Sequence, residues 1–340
     1  MASLTETAYY TRKSVNFSII AIVVFLISKV ILGYALELWA ALRPPPPPPP
    51  TVAFGTIPQP KFNQATTSAN LVYNLETITG AFPNLPSVGK VYFMPVAKET
   101  LLSLERATEV ANKLGFVGDP TVISKTIRQW TDSTTPLRTL QLDIATGNFD
   151  LKYDWNSDAS LFIQKDLPDA DAVVTEAKNF LSNQELAPQE IVNGKTTVTF
   201  YKVSLNKLTP TSSVSSADLV RIDFFRDDID QLPLFSDTPG VSPLYIIFSG
   251  VREDKKRLVE IHFTLWQIEK ETFATYPLLP VSEAWNDLNN GKGYVADLGT
   301  SGTNLINVRR IYLAYYYPFA AMQFLEPIYV FEADKGFYAY

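Results

Sequence analysis

A mostly apolar run from Phe17 to Leu36, followed by seven consecutive prolines at Pro44 to Pro50, limits this chain more than any other feature. Twenty residues in an α-helix span about 30 Å, the thickness of a bilayer hydrocarbon core. Proline has no amide N–H and a fixed φ, so the proline run cannot continue that helix. It predicts a stiff extended rod of roughly 22 Å at about 3.1 Å per residue. The expected plan is a tail (1–16), a transmembrane helix with its outer flank (17–42) and a proline-rich extended stalk (43–69). Everything after residue 69 then stands off one face of a membrane.

Arg12 and Lys13 precede the apolar run and only Arg43 follows it closely. The positive-inside bias places the N-terminus in the cytoplasm and the bulk of the chain outside. A cleaved signal peptide would carry an apolar region of about 7–15 residues ending at a small-x-small site. Here the run is longer, and Leu38-Trp39-Ala40 puts a bulky residue where a small one is needed. Both features favour an uncleaved anchor, with Tyr34 and Trp39 suited to the interfacial belt. Lys29 interrupts the outer half of the span. It is the candidate contact for a partner helix, because ionisable residues inside membranes usually face protein. The alternative is that it snorkels to the outer headgroups.

The chain has 29 basic and 35 acidic residues, of which 25 and 33 lie beyond residue 50, a net charge of −8 for the outer part. Such a surface repels phosphate backbones, so no nucleic acid partner is expected. The absence of cysteine excludes disulfides, thiolate chemistry and Cys-ligated metal sites.

Beyond the stalk a helix followed by strands recurs three times. The first helix is expected near Ser103 to Leu114, capped by Ser103, stopped by Gly115 and facing inward through Leu104, Ala107, Ala111 and Leu114. Strands follow at Thr121–Trp130 and Leu137–Trp155. The second run reads as a hairpin: Leu140, Leu142 and Ile144 alternate, a turn falls at 145–148, and Phe149, Leu151 and Tyr153 alternate again. A second helix is expected near Asp169 to Leu181 behind an Asp cap. Strands follow at Lys195–Leu205, Leu219–Arg226, Leu244–Gly250 and Arg257–Ile268, with Leu208–Ala217 read as a mobile loop. A short third helix begins at Ser282 and stops at Gly291. Strands at Asn304–Tyr317, Pro327–Glu332 and Gly336–Tyr340 complete the chain. The expected class is α+β: an N-terminal transmembrane helix, then antiparallel sheets each packed by one helix. The expected units are 70–166, 167–270 and 271–340.

The candidate chemistry is sparse. His262 alternates with Val259, Ile261, Phe263 and Leu265 and therefore faces the polar side with Glu260 and Thr264. No G-x-S-x-G elbow accompanies it, so a surface strand histidine is expected. Ser87–Lys90 and Ser204–Lys207 match Ser-x-x-Lys, but neither opens a helix and no S-D-N or K-T-G companion exists. Asp154, Asn156 and Asp158 have the first spacing of a calcium loop, yet Ala159 and Lys165 replace the glycine and the glutamate it requires. Asp227, Asp228 and Asp230 read as a solvated loop. Tyr315, Tyr316 and Tyr317 cannot share one face of a strand, so a central strand covered on both sides is expected. No catalytic residue, cofactor or metal ligand is assigned.

Leu140-Gln-Leu-Asp-Ile-Ala-Thr-Gly-Asn148, after a helix ending Leu114-Gly-Phe116, resembles a PepSY-type unit. Thr275-Tyr-Pro-Leu278, Glu283-Ala-Trp285, Gly291-Lys-Gly-Tyr294, Leu313-Ala-Tyr-Tyr316 and Glu326-Pro-Ile-Tyr-Val-Phe331 resemble the closing domain of the YycH/YycI family. That resemblance implies a single-pass membrane protein with an outer α+β domain, regulating a cell-wall-sensing histidine kinase through membrane contacts. The expected function is a non-enzymatic, membrane-anchored regulator or adaptor with a membrane-protein or envelope partner. The alternatives are an extracytoplasmic module binding glycan or peptide, which an exposed aromatic groove would favour, and a hydrolase using carboxylates alone.

Overall fold

The computed structural model describes residues 4–42, 49–62, 71–163, 166–300 and 304–340. The chain divides into two compact units, residues 1–49 and 50–340. In the first, one helix runs Leu4–Leu42. It therefore includes most of the segment expected as a tail. Its stretch Ala8–Trp39 is long and apolar enough to cross a membrane. Side-chain hydroxyls that would be unpaired in hydrocarbon turn back onto the helix: Ser28 Oγ donates to Phe25 O at 2.9 Å. The proline run as far as residue 48 lies outside the described residues.

The second unit contains two sheets. In the larger, nine strands lie in the order Thr121–Val122, Ile127–Thr131, Arg138–Asp143, Phe149–Tyr153, Leu258–Phe263, Leu244–Ser249, Leu219–Phe224, Thr196–Ser204 and Lys207–Thr211, all antiparallel. The expected hairpin is present, with Leu140 opposite Leu151 and Leu142 opposite Phe149. Gly147, at φ +78, provides the left-handed position in its turn. Helices Ser103–Lys113 and Ala170–Asn183 bury Ala107, Ala111, Val173, Ala177 and Leu181 in one core with Leu140, Leu142, Ile222 and Ile246. The small residues at 107, 111 and 177 let both helices lie close to the sheet. Asp169 caps the second helix as expected, accepting from Ala172 N–H at 2.9 Å. Ser103 is not a cap but the first helical residue, buried, with its hydroxyl accepting from Thr100 N–H at 2.9 Å. Leu104, expected inward, is exposed.

The smaller sheet has eight strands and draws on both ends of the unit. Its long strand Leu305–Tyr316 pairs antiparallel with Phe324–Ala333, and parallel with Val72–Leu75 and with Leu234–Phe235. Val88–Phe93 joins the beginning of Phe324–Ala333 to Glu269–Pro277. Tyr338–Ala339 and Val295–Asp297 close the other side. Helix Val281–Asn289 packs on it through Leu288, Trp285 and Ala284. Ser282 lies within this helix, and Pro280 occupies the capping position. Tyr315, Tyr316 and Tyr317 are all buried, with Tyr316 in a different core cluster from Tyr315 and Tyr317. That is the arrangement expected of a strand covered on both faces.

Three further expectations are corrected. The strands are not shared out as 70–166, 167–270 and 271–340: the first two helices serve one sheet, while Val72–Leu75 and Val88–Phe93 belong with the last strands. Leu208–Thr211, expected in a mobile loop, lies in an edge strand. A hairpin turn reaches it, with Leu205 (φ 49) and Asn206 (φ 59) both left-handed. Residues 51–62, expected as stalk, form an arm packed on the smaller sheet. Val52 N–H donates to Thr275 O at 3.0 Å, Phe54 packs on Phe324 at 5.1 Å, and Phe62 stacks on Tyr294 at 4.9 Å. Two phenylalanines in a polar stretch supplied the apolar surface that an extended stalk would have left in water.

Candidate functional site

The chain leaves the larger sheet at Phe224 and returns at Leu244, and residues 225–243 cross to the smaller sheet and back. Arg226 follows the last residues of the strand. Ile229 and Leu232 then bridge a tight turn in which Asp230 (φ 50) and Gln231 (φ 65) are left-handed. Asp230 accepts from the Tyr92 hydroxyl and meets Lys90 at 3.2 Å. Leu234–Phe235 next pairs with Tyr315–Tyr316.

The return path is fixed by polar side chains buried in the fold. Asp237 accepts from the Tyr316 hydroxyl at 2.5 Å and from Phe319 N–H at 3.0 Å. Ser242 donates its N–H to Asp223 Oδ1 at 2.8 Å and its hydroxyl to Phe224 O. Asp223 also holds Arg221 in a two-point ion pair of 2.8 and 2.7 Å, and the Arg221 guanidinium lies 3.6 Å from the Tyr245 ring centre. Such satisfied networks fix one loop conformation, because a partly satisfied one would leave buried polar groups unpaired.

In the elbow of this segment lies a cleft of about 520 Å³ between the two sheets. Lys195, Thr197 and Thr264 line it from the larger sheet. Phe225, Arg226, Asp228 and the 233–243 loop line it from the crossing segment, and Arg310, Tyr312, Tyr317, Glu332 and Tyr338 from the smaller sheet. Phe235 packs against Tyr312 at 6.2 Å and Tyr338 at 6.1 Å, forming an aromatic wall. Glu332 is held by Arg310 at 2.6 and 2.5 Å and by the Tyr312 hydroxyl at 3.2 Å. Burial, and then the Glu332 charge, raise the Tyr312 hydroxyl well above the usual phenol range. It therefore remains a donor at any physiological pH.

Arg226 is the most confined cation in the cleft. Its guanidinium donates to Trp266 O at 2.9 Å, lies 5.3 Å from the Tyr317 ring centre and approaches Glu190 no closer than 3.7 Å. Its Nε is buried without a hydrogen-bond partner among the described residues. Lys195 also lines the cleft, and its carbonyl accepts from Phe225 N–H at 2.9 Å. Gly194 permits that approach, since a Cβ there would stand 2.7 Å from Phe225 O and 3.0 Å from Glu190 O. Gly194→Ala is expected to destabilise the chain by about 1–3 kcal/mol, the usual range for forced overpacking. Thermal unfolding of the detergent-solubilised chain measures this, and an unchanged melting temperature would show that the strand edge can yield.

His262 is more engaged than a surface strand histidine. Its Nδ1 is 2.7 Å from Asp150 Oδ1, its Nε2 is 3.2 Å from Thr264 Oγ1, and its ring stacks on Tyr245 at 5.4 Å. Burial works against ionisation of Asp150, but the hydrogen bond and charge of His262 hold its carboxyl below the usual range. The carboxylate–imidazole–hydroxyl order resembles a nucleophilic triad. The amides that would stabilise an oxyanion beside Thr264 are already used: Thr264 N–H donates to Pro243 O at 2.9 Å and Leu265 N–H to Asn148 Oδ1 at 3.0 Å. The row orients the cleft edge rather than offering acyl-transfer geometry.

The other singled-out residues are accounted for by packing and ion pairs. Lys29 lies on the exposed surface of the N-terminal helix. Lys90 faces Asp230 and the Phe273 ring, and Ser204 pairs with Lys207 across the edge hairpin. Asp158 accepts from Tyr153 and Ser160 and pairs with Lys256 at 3.0 Å, so its oxygens are occupied. Of the 227–230 cluster, only Asp228 lines the cleft. Sequence reading missed Lys195, Arg226 and the Arg310–Glu332 pair. The one available signal was the turn-rich Pro233–Pro243 segment between two strands.

The fold is α+β, with an N-terminal apolar helix ahead of large, mainly antiparallel sheets. No family model matches the chain and no curated protein matches it. A solved structure, that of an uncharacterized protein from Eubacterium rectale ATCC 33656, aligns with 72% of this chain and 76% of its own at 14% identity and a TM-score of 0.40.

Proposed function

We propose that this chain is a single-pass, membrane-anchored binding module, with its N-terminus in the cytoplasm and a ligand-binding cleft in its outer unit. The observation that carries this reading is the 520 Å³ cleft between the sheets, with an aromatic wall facing a few fixed polar groups. That combination is the usual character of small-ligand sites. The N-terminal helix supplies the anchor by its length and apolar composition. Crossing segment 225–243 is held by buried Asp223, Asp237 and Ser242, so the site is preformed rather than induced.

The test is saturation-transfer NMR of a mixed fragment set against the full chain in detergent micelles, repeated with Thr197→Trp, which fills the cleft. Fragments that bind the native chain and lose at least tenfold in affinity to the variant support the reading. Binding that survives Thr197→Trp lies elsewhere and overturns it, as does a fragment set that yields no binders.

A further inference from the structure

We infer that the cleft selects ligands bearing a carboxylate on an aromatic or apolar body, with Arg226 and Lys195 holding the acid and the wall of Phe235, Tyr312 and Tyr338 holding the body. This rests on the binding-module reading and gives it a ligand class.

The first support is the state of Arg226. A guanidinium presents five donors in a planar fork that matches a carboxylate. Here one arm is used on Trp266 O, the other forms a long ion pair of 3.7 Å with Glu190, and Nε is buried with no hydrogen-bond partner among the described residues. A buried donor left unpaired is destabilising, and an incoming oxygen removes that penalty, so the gain belongs to the bound state alone. Glu190, the nearest carboxylate, is half-exposed and stays at 3.7 Å, outside hydrogen-bond reach.

The second support is the distribution of charge. The outer unit is strongly acidic, yet the cleft is lined by Lys195, Arg226 and Arg310 against Asp228 and Glu332. Glu332 is neutralised by Arg310. Lys195 has no ion-pair partner among the described residues and lines the same cleft as Arg226. The cleft is therefore lined by Lys195, without an ion-pair partner among the described residues, and by Arg226, whose ion pair with half-exposed Glu190 is long at 3.7 Å, against exposed Asp228. An anion held by these two cations gains charge-assisted hydrogen bonds, which are stronger than neutral ones.

The third support is the opposite wall. Phe235, Tyr312 and Tyr338 offer ring faces and edges, and the Tyr312 hydroxyl is committed to Glu332. That wall suits the apolar part of a ligand and offers little to a second charge. Long polyanions such as nucleic acid do not fit, because one carboxylate-sized site in an acidic domain gives no continuous track for their phosphates.

The experiment titrates the full chain in detergent with N-acetyl-L-phenylalanine and, separately, with N-acetyl-L-phenylalaninamide, which has the same shape without the charge. The expected result is binding of the acid at least tenfold tighter than the amide. Arg226→Gln should reduce that preference to parity, and Lys195→Gln, at an exposed position, should reduce it in part without affecting folding. Equal binding of acid and amide, blocked by Thr197→Trp, overturns the carboxylate assignment and leaves the binding cleft standing. If neither probe binds while other fragments do so in a Thr197→Trp-sensitive way, the ligand class is wrong and the cleft reading survives. If nothing binds, both fall.

Discussion

Asp132→Ala is expected to lower the stability of the second unit by about 3–5 kcal/mol, the range for removing one member of a buried ion pair. Asp132 is buried beside Arg138, which is itself only 6% exposed at its side chain. Arg138 donates to Leu114 O at 2.8 Å, at the C-terminal end of helix Ser103–Lys113, and covers the Phe116 ring at 4.5 Å. Asp132 also accepts from Thr134 and Thr135 N–H and pairs with Lys255 at 2.7 Å. Removing the carboxylate therefore strands a buried guanidinium and two amides together. Arg138→Met should be milder, because Asp132 keeps Lys255 and its amides. Burial alone would raise the Asp132 carboxyl. The Lys255 bond, followed by those of Thr134 and Thr135, outweighs it and holds the group far below the usual range. This contribution is thus complete at neutral pH and is lost as pH falls below about 4, where the unfolded group protonates. Chemical unfolding of both variants at pH 7 checks the order, and a milder loss for Asp132→Ala than for Arg138→Met would overturn it.

The second large effect has the opposite pH sign. Glu326 is buried opposite Tyr316, its Oε1 has no hydrogen-bond partner among the described residues, and burial raises its carboxyl from the ordinary 4.5 to about 7. A group whose folded pKa is raised stabilises the fold fully below its unfolded value. Its contribution declines as pH climbs from 4.5 to about 7 and then levels off. At about 1.4 kcal/mol per pH unit, that window carries a loss on the order of 3 kcal/mol. Glu326→Gln should remove the slope and leave the variant more stable than the native chain at pH 8. Residue 326 shares its strand face with Phe324, on which Phe54 of the arm packs, while Phe62 packs on Tyr316 at 4.8 Å. Urea midpoints at pH 5 and pH 8 decide the matter. A native chain with equal midpoints would mean that the carboxylate is solvated.

Local elements were legible wherever side-chain period and turn chemistry agreed. Leu140, Leu142, Phe149 and Leu151 alternate around Gly147, and helix Ala170–Asn183 carries both its Asp cap and its inward stripe. Partnering was not legible. Nothing in Val72–Leu75 states that it runs parallel to Leu305–Val308, because strand pairing over such distances is decided by the assembled core and not by local pattern. The arm was hidden for a related reason: Phe54 and Phe62 are single apolar residues without a period. The cleft was the least legible part, since Lys195, Arg226 and Tyr312 come from three segments and acquire meaning only from their neighbours. The segments resembling YycH/YycI fall in the smaller sheet and its helix, where Trp285, Tyr294 and Phe331 pack.

The sharing of strands also sets an order of assembly. The strands of the larger sheet are drawn from Thr121 to Phe263, with the 225–243 crossing as the excursion to the smaller sheet, so it can close as soon as that stretch has been synthesised. The arm must wait for distant partners: Thr51 meets Thr275, 224 positions later, and Lys61 meets Tyr316, 255 positions later. At about 5–20 residues per second, the wait is on the order of 10–50 s. During that interval Val91, Tyr92 and the arm phenylalanines have no sheet to cover them. The nascent protein is then a finished half carrying an unpaired apolar leader, and the far wall of the cleft, from Arg310 to Tyr338, is the last part to exist.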